Sequence, residues 1–121
     1  GYVTEFVRKG ADLLFVITND GWWGDSPGHR QHLEFSKLRA IETRRSVARS
    51  ANTGISGFIN QRGDIVEQSK YWEHTALRNT LKTNDRQTFY VRYGDYIYRL
   101  SVYFAALLVA LTVVRLIIRK K

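Results

Sequence analysis

The chain has 121 residues, a formal net charge of +8 and no cysteine. These residues therefore hold no disulfide, no thiolate metal site and no thiol nucleophile. The basic residues are dispersed, densest at 39–49 and 119–121; no RNP-like aromatics or zinc-finger spacing accompany them, which argues against nucleic acid as a partner. Methionine is absent and Gly1 opens the chain. Its first ten residues are too polar for a signal-peptide core, so the sequence reads as the carboxyl-terminal fragment of a longer protein.

Residues 2–9 read as a short amphipathic helix with Val3, Phe6 and Val7 on one face, stopped by Gly10. Residues 13–17, LLFVI, are a continuous apolar run of strand length, the pattern of a strand buried on both faces. Helix, glycine and buried strand in succession predict an α/β fold. The strand runs into ITNDGWWG. Loops after buried strands are where α/β proteins build their sites. Trp22 and Trp23 either wall an apolar pocket or plug a gap against the next helix. Asn19 and Asp20 either bind polar substrate atoms or cap the turn.

Ser26 and Pro27 are suited to start a helix over about residues 29–45, with Leu33, Phe35, Leu38 and Ile41 on its buried side. Glu34 can reach Lys37, and Glu42 lies three residues from both Arg39 and Arg45. His29 and His32, also three apart, could present two imidazoles to a metal. They lack the companion carboxylate of a zinc signature, so a structural or rim role is expected and no metal site is assigned. Residues 46–51 form a second strand, broken by Asn52, Thr53 and Gly54. Residues 55–59, a turn at 61–64 and Ile65–Val66 then read as a hairpin. Arg49, Asn52, Thr53 and Gly54 make a second polar cluster. If the two strands are neighbours, both clusters share one rim of the sheet. The competing reading is turn chemistry with Arg49 paired to a carboxylate. Residues 67–95 are mixed and polar, with a strand expected at 75–81.

Residues 97–118 differ from everything before them. As a helix of about 22 residues at about 1.5 Å each, they reach roughly 33 Å, enough to cross a hydrocarbon core. Arg99 and Arg115 can snorkel from its ends, and Tyr96, Tyr98 and Tyr103 cluster like an interfacial belt. The tail Arg119, Lys120 and Lys121 favours a cytoplasmic carboxyl terminus. A buried or amphipathic terminal helix is the alternative. The expected organisation is a globular part at 1–95, a transmembrane helix at 96–118 and a basic tail at 119–121.

The blocks LLFVITNDGWWG, GHRQHLEFSKLRAIETRRSVARSANTGISGFINQRGDI and TFYVRYGDY, followed by a terminal apolar helix, resemble the apolipoprotein N-acyltransferase family. Within them, RAIE at 39–42, Val47 and Asn52 are similar to the wider nitrilase, or carbon–nitrogen hydrolase, superfamily. The resemblance covers nearly the whole chain, and the apolar helix separates it from soluble amidases.

It implies a partial nitrilase-like α/β/β/α sandwich on the periplasmic side of the bacterial inner membrane. It also implies transfer of an acyl chain from a phospholipid donor to the diacylglyceryl-modified N-terminal cysteine of an apolipoprotein acceptor, with no cofactor. In that family a Cys is acylated, a Glu acts as base and a Lys supports the oxyanion. The resemblance places all three before Gly1. No residue here is assigned a catalytic role, and Glu5, Glu34, Glu42, Lys9 and Lys37 do not stand in. What carries over is a substrate-binding rim: Asn19, Asp20, Trp22 and Trp23 match one family loop, and Arg49, Asn52, Thr53 and Gly54 match a second. An acyl chain suits the tryptophans, since each buried methylene contributes about 0.8 kcal/mol. The alternative is a non-catalytic, membrane-anchored interaction module on the same scaffold.

Overall fold

Strands β1 (Leu13–Thr18) and β2 (Ser46–Ala51) lie parallel, from Leu13 opposite Ser46 to Thr18 opposite Ala51. Parallel neighbours need a crossover, here α2 (Gly28–Thr43). The chain then returns as β3 (Gly57–Ile59) and β4 (Ile65–Gln68), each antiparallel to the strand before it. The sheet order is β1-β2-β3-β4. At the β3–β4 turn the Asn60 side-chain oxygen accepts from the N–H groups of Arg62 and Asp64, the local bond that makes asparagine a turn former. This computed structural model describes residues 2–119.

The core lies on one face of the sheet. Leu33 and Ala40 of α2 pack on Val47 and Ile59, with Leu14, Val16, Ile55 and Ile65 around them. The buried side of α2 is His29, Leu33, Ser36, Ala40 and Thr43; of the four apolar residues expected there, Leu33 is buried. Phe35, Leu38 and Ile41 are exposed. Small residues let the helix lie close to the sheet, and Ser36 is turned inward to accept a bond from Arg49. The helix ends at Arg44, in left-handed conformation, slightly earlier than expected. Glu42 pairs with Arg39 rather than Arg45, and Glu34 with Lys37.

The opposite face of the sheet is open among the described residues, so β1 is not buried on both sides. Phe15 is 74% and Ile17 89% exposed. The described residues thus form one sheet with helices on one face, in keeping with the partial sandwich expected. The strand expected at 75–81 is also absent; that stretch has no regular structure. Thr75 and Leu77 lie along the open face beside Phe58. Just beyond, the Lys82 carbonyl accepts from the side chains of Ser46 and Gln61 rather than from a strand ladder.

The other end of the sheet is tied by Arg45, which is fully buried. Its guanidinium donates to the carbonyls of Ala11, Thr43 and Arg86. Helix α1 (Tyr2–Arg8) buries Thr4 and Val7 and leaves Phe6 exposed. It packs against α3 (Phe89–Tyr93), and Arg8 Nε donates to the Val91 carbonyl at 2.6 Å. The last helix, α4 (Tyr96–Arg119), buries none of its residues and is long and apolar enough to cross a membrane. Lys120 and Lys121, the end of the expected basic tail, lie outside the described residues.

Candidate functional site: two rim loops over a buried ion pair

Because β1 and β2 are parallel and in register, their carboxyl ends open on one edge. Asn52 N–H donates to the Thr18 carbonyl at 3.0 Å, so the two polar loops start side by side. Asn19 Oδ1 accepts from Gly21 N–H at 3.1 Å and opens a single 3-10 turn, Gly21–Trp23. Thr53 sits over Gly21. Gly54 lies so close to Asp20 that any side chain there would collide with the carboxylate. Sequence spacing therefore brings all eight rim residues to one edge.

Asp20 and Arg49 lie beneath the loops, with side chains 0% exposed. Arg49 Nη2 donates to Asp20 Oδ2 at 2.7 Å, Nη1 to Ser36 Oγ at 2.9 Å, and Nε to the Ile55 carbonyl at 3.1 Å. The other carboxylate oxygen, Oδ1, accepts from Thr18 Oγ1 at 3.0 Å and lies 2.8 Å from His32 Nδ1. An ionised carboxylate only accepts, so Nδ1 carries the proton, and its 3.4 Å approach to Arg49 is not a hydrogen bond. Burial pushes the Asp20 pKa up. The bonds from His32 and Arg49 and the charge of Arg49 outweigh burial and hold it below its usual value of 3.8. One carboxylate thus joins β1, β2, α2 and both loops.

The tryptophan pair divides. Trp23 packs against Gly28, and its ring meets His32 edge-on at 5.3 Å, so it plugs the gap against α2. Trp22 is 86% exposed and stands free on the rim. A third tryptophan joins them: Trp72 N–H donates to the Thr53 carbonyl, and the Trp72 side chain is exposed. Next to it, Tyr71 stacks on buried His29 with ring centroids 4.0 Å apart. The two histidines therefore diverge, one to Tyr71 and one to Asp20. No group of three metal-ligating side chains exists among the described residues.

A family model for carbon–nitrogen hydrolases matches residues 2–89. The chain belongs to the carbon–nitrogen hydrolase family. Among curated proteins it is similar to the apolipoprotein N-acyltransferases of Chlorobaculum tepidum (37% identical over 115 residues, 95% of this chain) and Thermotoga maritima (39% over 110 residues, 91% of this chain). It is also similar to that of Photobacterium profundum (34% over 122 residues, 98% of this chain). It spans about a fifth of their length, 22%, 22% and 23% respectively. For this carbon–nitrogen hydrolase chain, the structural or rim role expected of His32 is what its contact with Asp20 gives it, while sequence reading missed Ser36, Tyr71 and Trp72 as neighbours of the rim. The only advance signal was a third tryptophan beside a tyrosine in a polar stretch; the inward turn of His32 and Ser36 depends on how α2 rotates on the sheet.

Proposed function

We propose that these residues are the carboxyl-terminal part of an apolipoprotein N-acyltransferase, with a nitrilase-like portion at 1–95, a transmembrane helix at 96–118 and a basic tail at 119–121. The observation that carries this reading is a carbon–nitrogen hydrolase match over residues 2–89 followed, from Tyr96, by a helix of membrane length. A soluble amidase has no use for such a helix; an enzyme whose donor is a phospholipid must stay beside the bilayer. The globular part faces the periplasm and the carboxyl terminus the cytoplasm, in line with the basic tail.

On this reading the rim serves substrate through position. Asn19, Asp20, Arg49, Asn52, Thr53 and Gly54 hold the two loops, and Trp22, with the part of Trp23 left exposed beside α2, offers apolar surface to the acyl chain of the donor. Asp20 and Arg49 are positioning residues, since both are sealed from solvent. The acceptor is the diacylglyceryl-modified cysteine of an apolipoprotein. The thiol that carries the acyl group, with its base and oxyanion partner, comes from residues outside these 121.

The test is a chimera. The segment of the Chlorobaculum tepidum protein that matches this chain is replaced by it, and the gene is expressed in bacteria depleted of their own N-acyltransferase. Mass spectrometry of a lipoprotein amino terminus reads the outcome. N-acylated cysteine is expected. A stable, membrane-inserted chimera that leaves the amine free, while the unaltered relative acylates it, overturns the reading and favours the interaction module.

A further inference from the structure

We infer that Trp72 is a specificity-determining residue of the rim, a second indole wall for the acyl chain of the donor, standing across Thr53 from Trp22. This rests on the acyltransferase reading and deepens it, since Trp72 lies outside both loops from which the rim is built.

Trp72 stands out by its backbone. Its φ is +60, and it is one of two non-glycine residues with positive φ among the described residues. That left-handed conformation crowds the Cβ of any L residue and is an outlier for a bulky one. The other such residue, Arg44, is the C-cap of α2, where left-handed residues commonly end a helix. Trp72 caps no element. Its side chain is 68% exposed, so burial does not account for it either.

A strained residue persists only where its surroundings over-determine it. Here they do. Ser69 N–H donates to the Ser56 carbonyl at 2.9 Å, and Ser69 Oγ accepts from Ser56 N–H at 3.0 Å. Tyr71 stacks on buried His29. Trp72 N–H donates to the Thr53 carbonyl at 3.1 Å. The Glu73 carboxylate accepts from Lys70 N–H at 3.1 Å and closes the turn. What these ties display to solvent is one indole.

Thr53 sets where it stands. The Thr53 side chain faces Gly21, the residue before Trp22, while its carbonyl faces Trp72. The two exposed indoles therefore flank the same residue. An indole on a fixed backbone is a rigid apolar face that costs little conformational entropy to use. Its match is a run of methylenes, which the donor's acyl chain supplies. The charged, hydrated headgroup gains nothing from two apolar faces.

The test uses the chimera, purified in micelles. N-acylation of a diacylglyceryl-cysteine peptide is measured with donors of one headgroup carrying two palmitoyl or two hexanoyl chains. Trp72→Gly keeps the N–H to Thr53 and relieves the positive φ, so by circular dichroism it should melt no lower than the wild type. Its KM for the palmitoyl donor should rise about tenfold at constant kcat, the factor for roughly two methylenes left uncovered. The hexanoyl chain has fewer methylenes to cover, so its KM should move less than about threefold. Trp72→Phe keeps an aromatic face and should lie close to the wild type. A purely structural role would instead lower the melting temperature and slow both donors alike. That result, an unchanged KM for the palmitoyl donor, or a rise in KM for the acceptor peptide alone overturns the inference and leaves the acyltransferase reading standing. A wild-type chimera that acylates nothing removes that reading and the inference with it.

Discussion

Replacing Arg49 by Met should unfold the rim and much of the sheet with it. The side chain is sealed from water and holds Asp20, Ser36 and the Ile55 carbonyl. Met retains most of the apolar stem and removes the charge. Asp20 is then a buried carboxylate bonded only to Thr18 and His32. Removing one member of a buried, hydrogen-bonded pair costs about 3–5 kcal/mol, because the remaining charge is left without its partner. Whole domains are stable by only about 5–15 kcal/mol. For a globular part of this size the loss corresponds to a fall in Tm of roughly 15–30 °C. All three tryptophans border the rim, so intrinsic fluorescence of the full chain in micelles reports the transition without interference from α4. Arg49→Lys should fall between wild type and Met, since an ammonium cannot reproduce the planar fork. Asp20→Asn combined with Arg49→Met should cost less than the sum of the two. A loss below about 1 kcal/mol for Arg49→Met, the range of an exposed pair, refutes the reasoning.

Three further outcomes follow from the same geometry. Gly54→Ala drives a methyl into the Asp20 carboxylate, and should destabilise the full chain by about 1–3 kcal/mol in urea titration. Acid should act through Asp20: its folded pKa lies below the usual value, so its contribution is fully present above about pH 4 and is lost as pH falls through the lowered value. Thermal melts between pH 6 and pH 2 check this; Asp20→Asn should flatten that part of the profile. Trp22→Ala, at an exposed position, should change stability by no more than about 0.5 kcal/mol, yet slow acyl transfer in the chimera; equal rates would count against the pocket wall.

The elements legible in the sequence were those with a strong local signal. LLFVI had the length and apolarity of a strand, the Gly63 turn marked the hairpin, and residues 97–118 stood out by length and apolarity. Placing both polar clusters on one edge needed only that β1 and β2 be parallel neighbours, as they are. The failures share a cause. Apolar residues were assigned inward by type, but α2 turns Ser36, Ala40 and Thr43 inward because it lies close to the sheet and supports a polar network. Phe15 and Ile17 read as buried because apolarity was taken for coverage, while the described residues cover only one face of the sheet. Residues 75–81 contain β-formers, yet they form no ladder on the edge strand β4; Asn79 reaches it through side chains only, donating to the Glu67 carboxylate. The Asp20–Arg49 bond joins residues far apart in sequence, so only the fold could show that the second cluster's arginine braces the first.

If the braced rim walls an acyl-chain pocket, a donor's acyl chain must touch it. The most direct measurement uses the chimera in membranes containing a phospholipid with a diazirine near the end of one acyl chain. After irradiation, labelled peptides are mapped by mass spectrometry. Label is expected in residues 20–24 and 52–54, reduced by Arg49→Met. Label confined to α4, with the rim unmarked and unaffected by that variant, would contradict it.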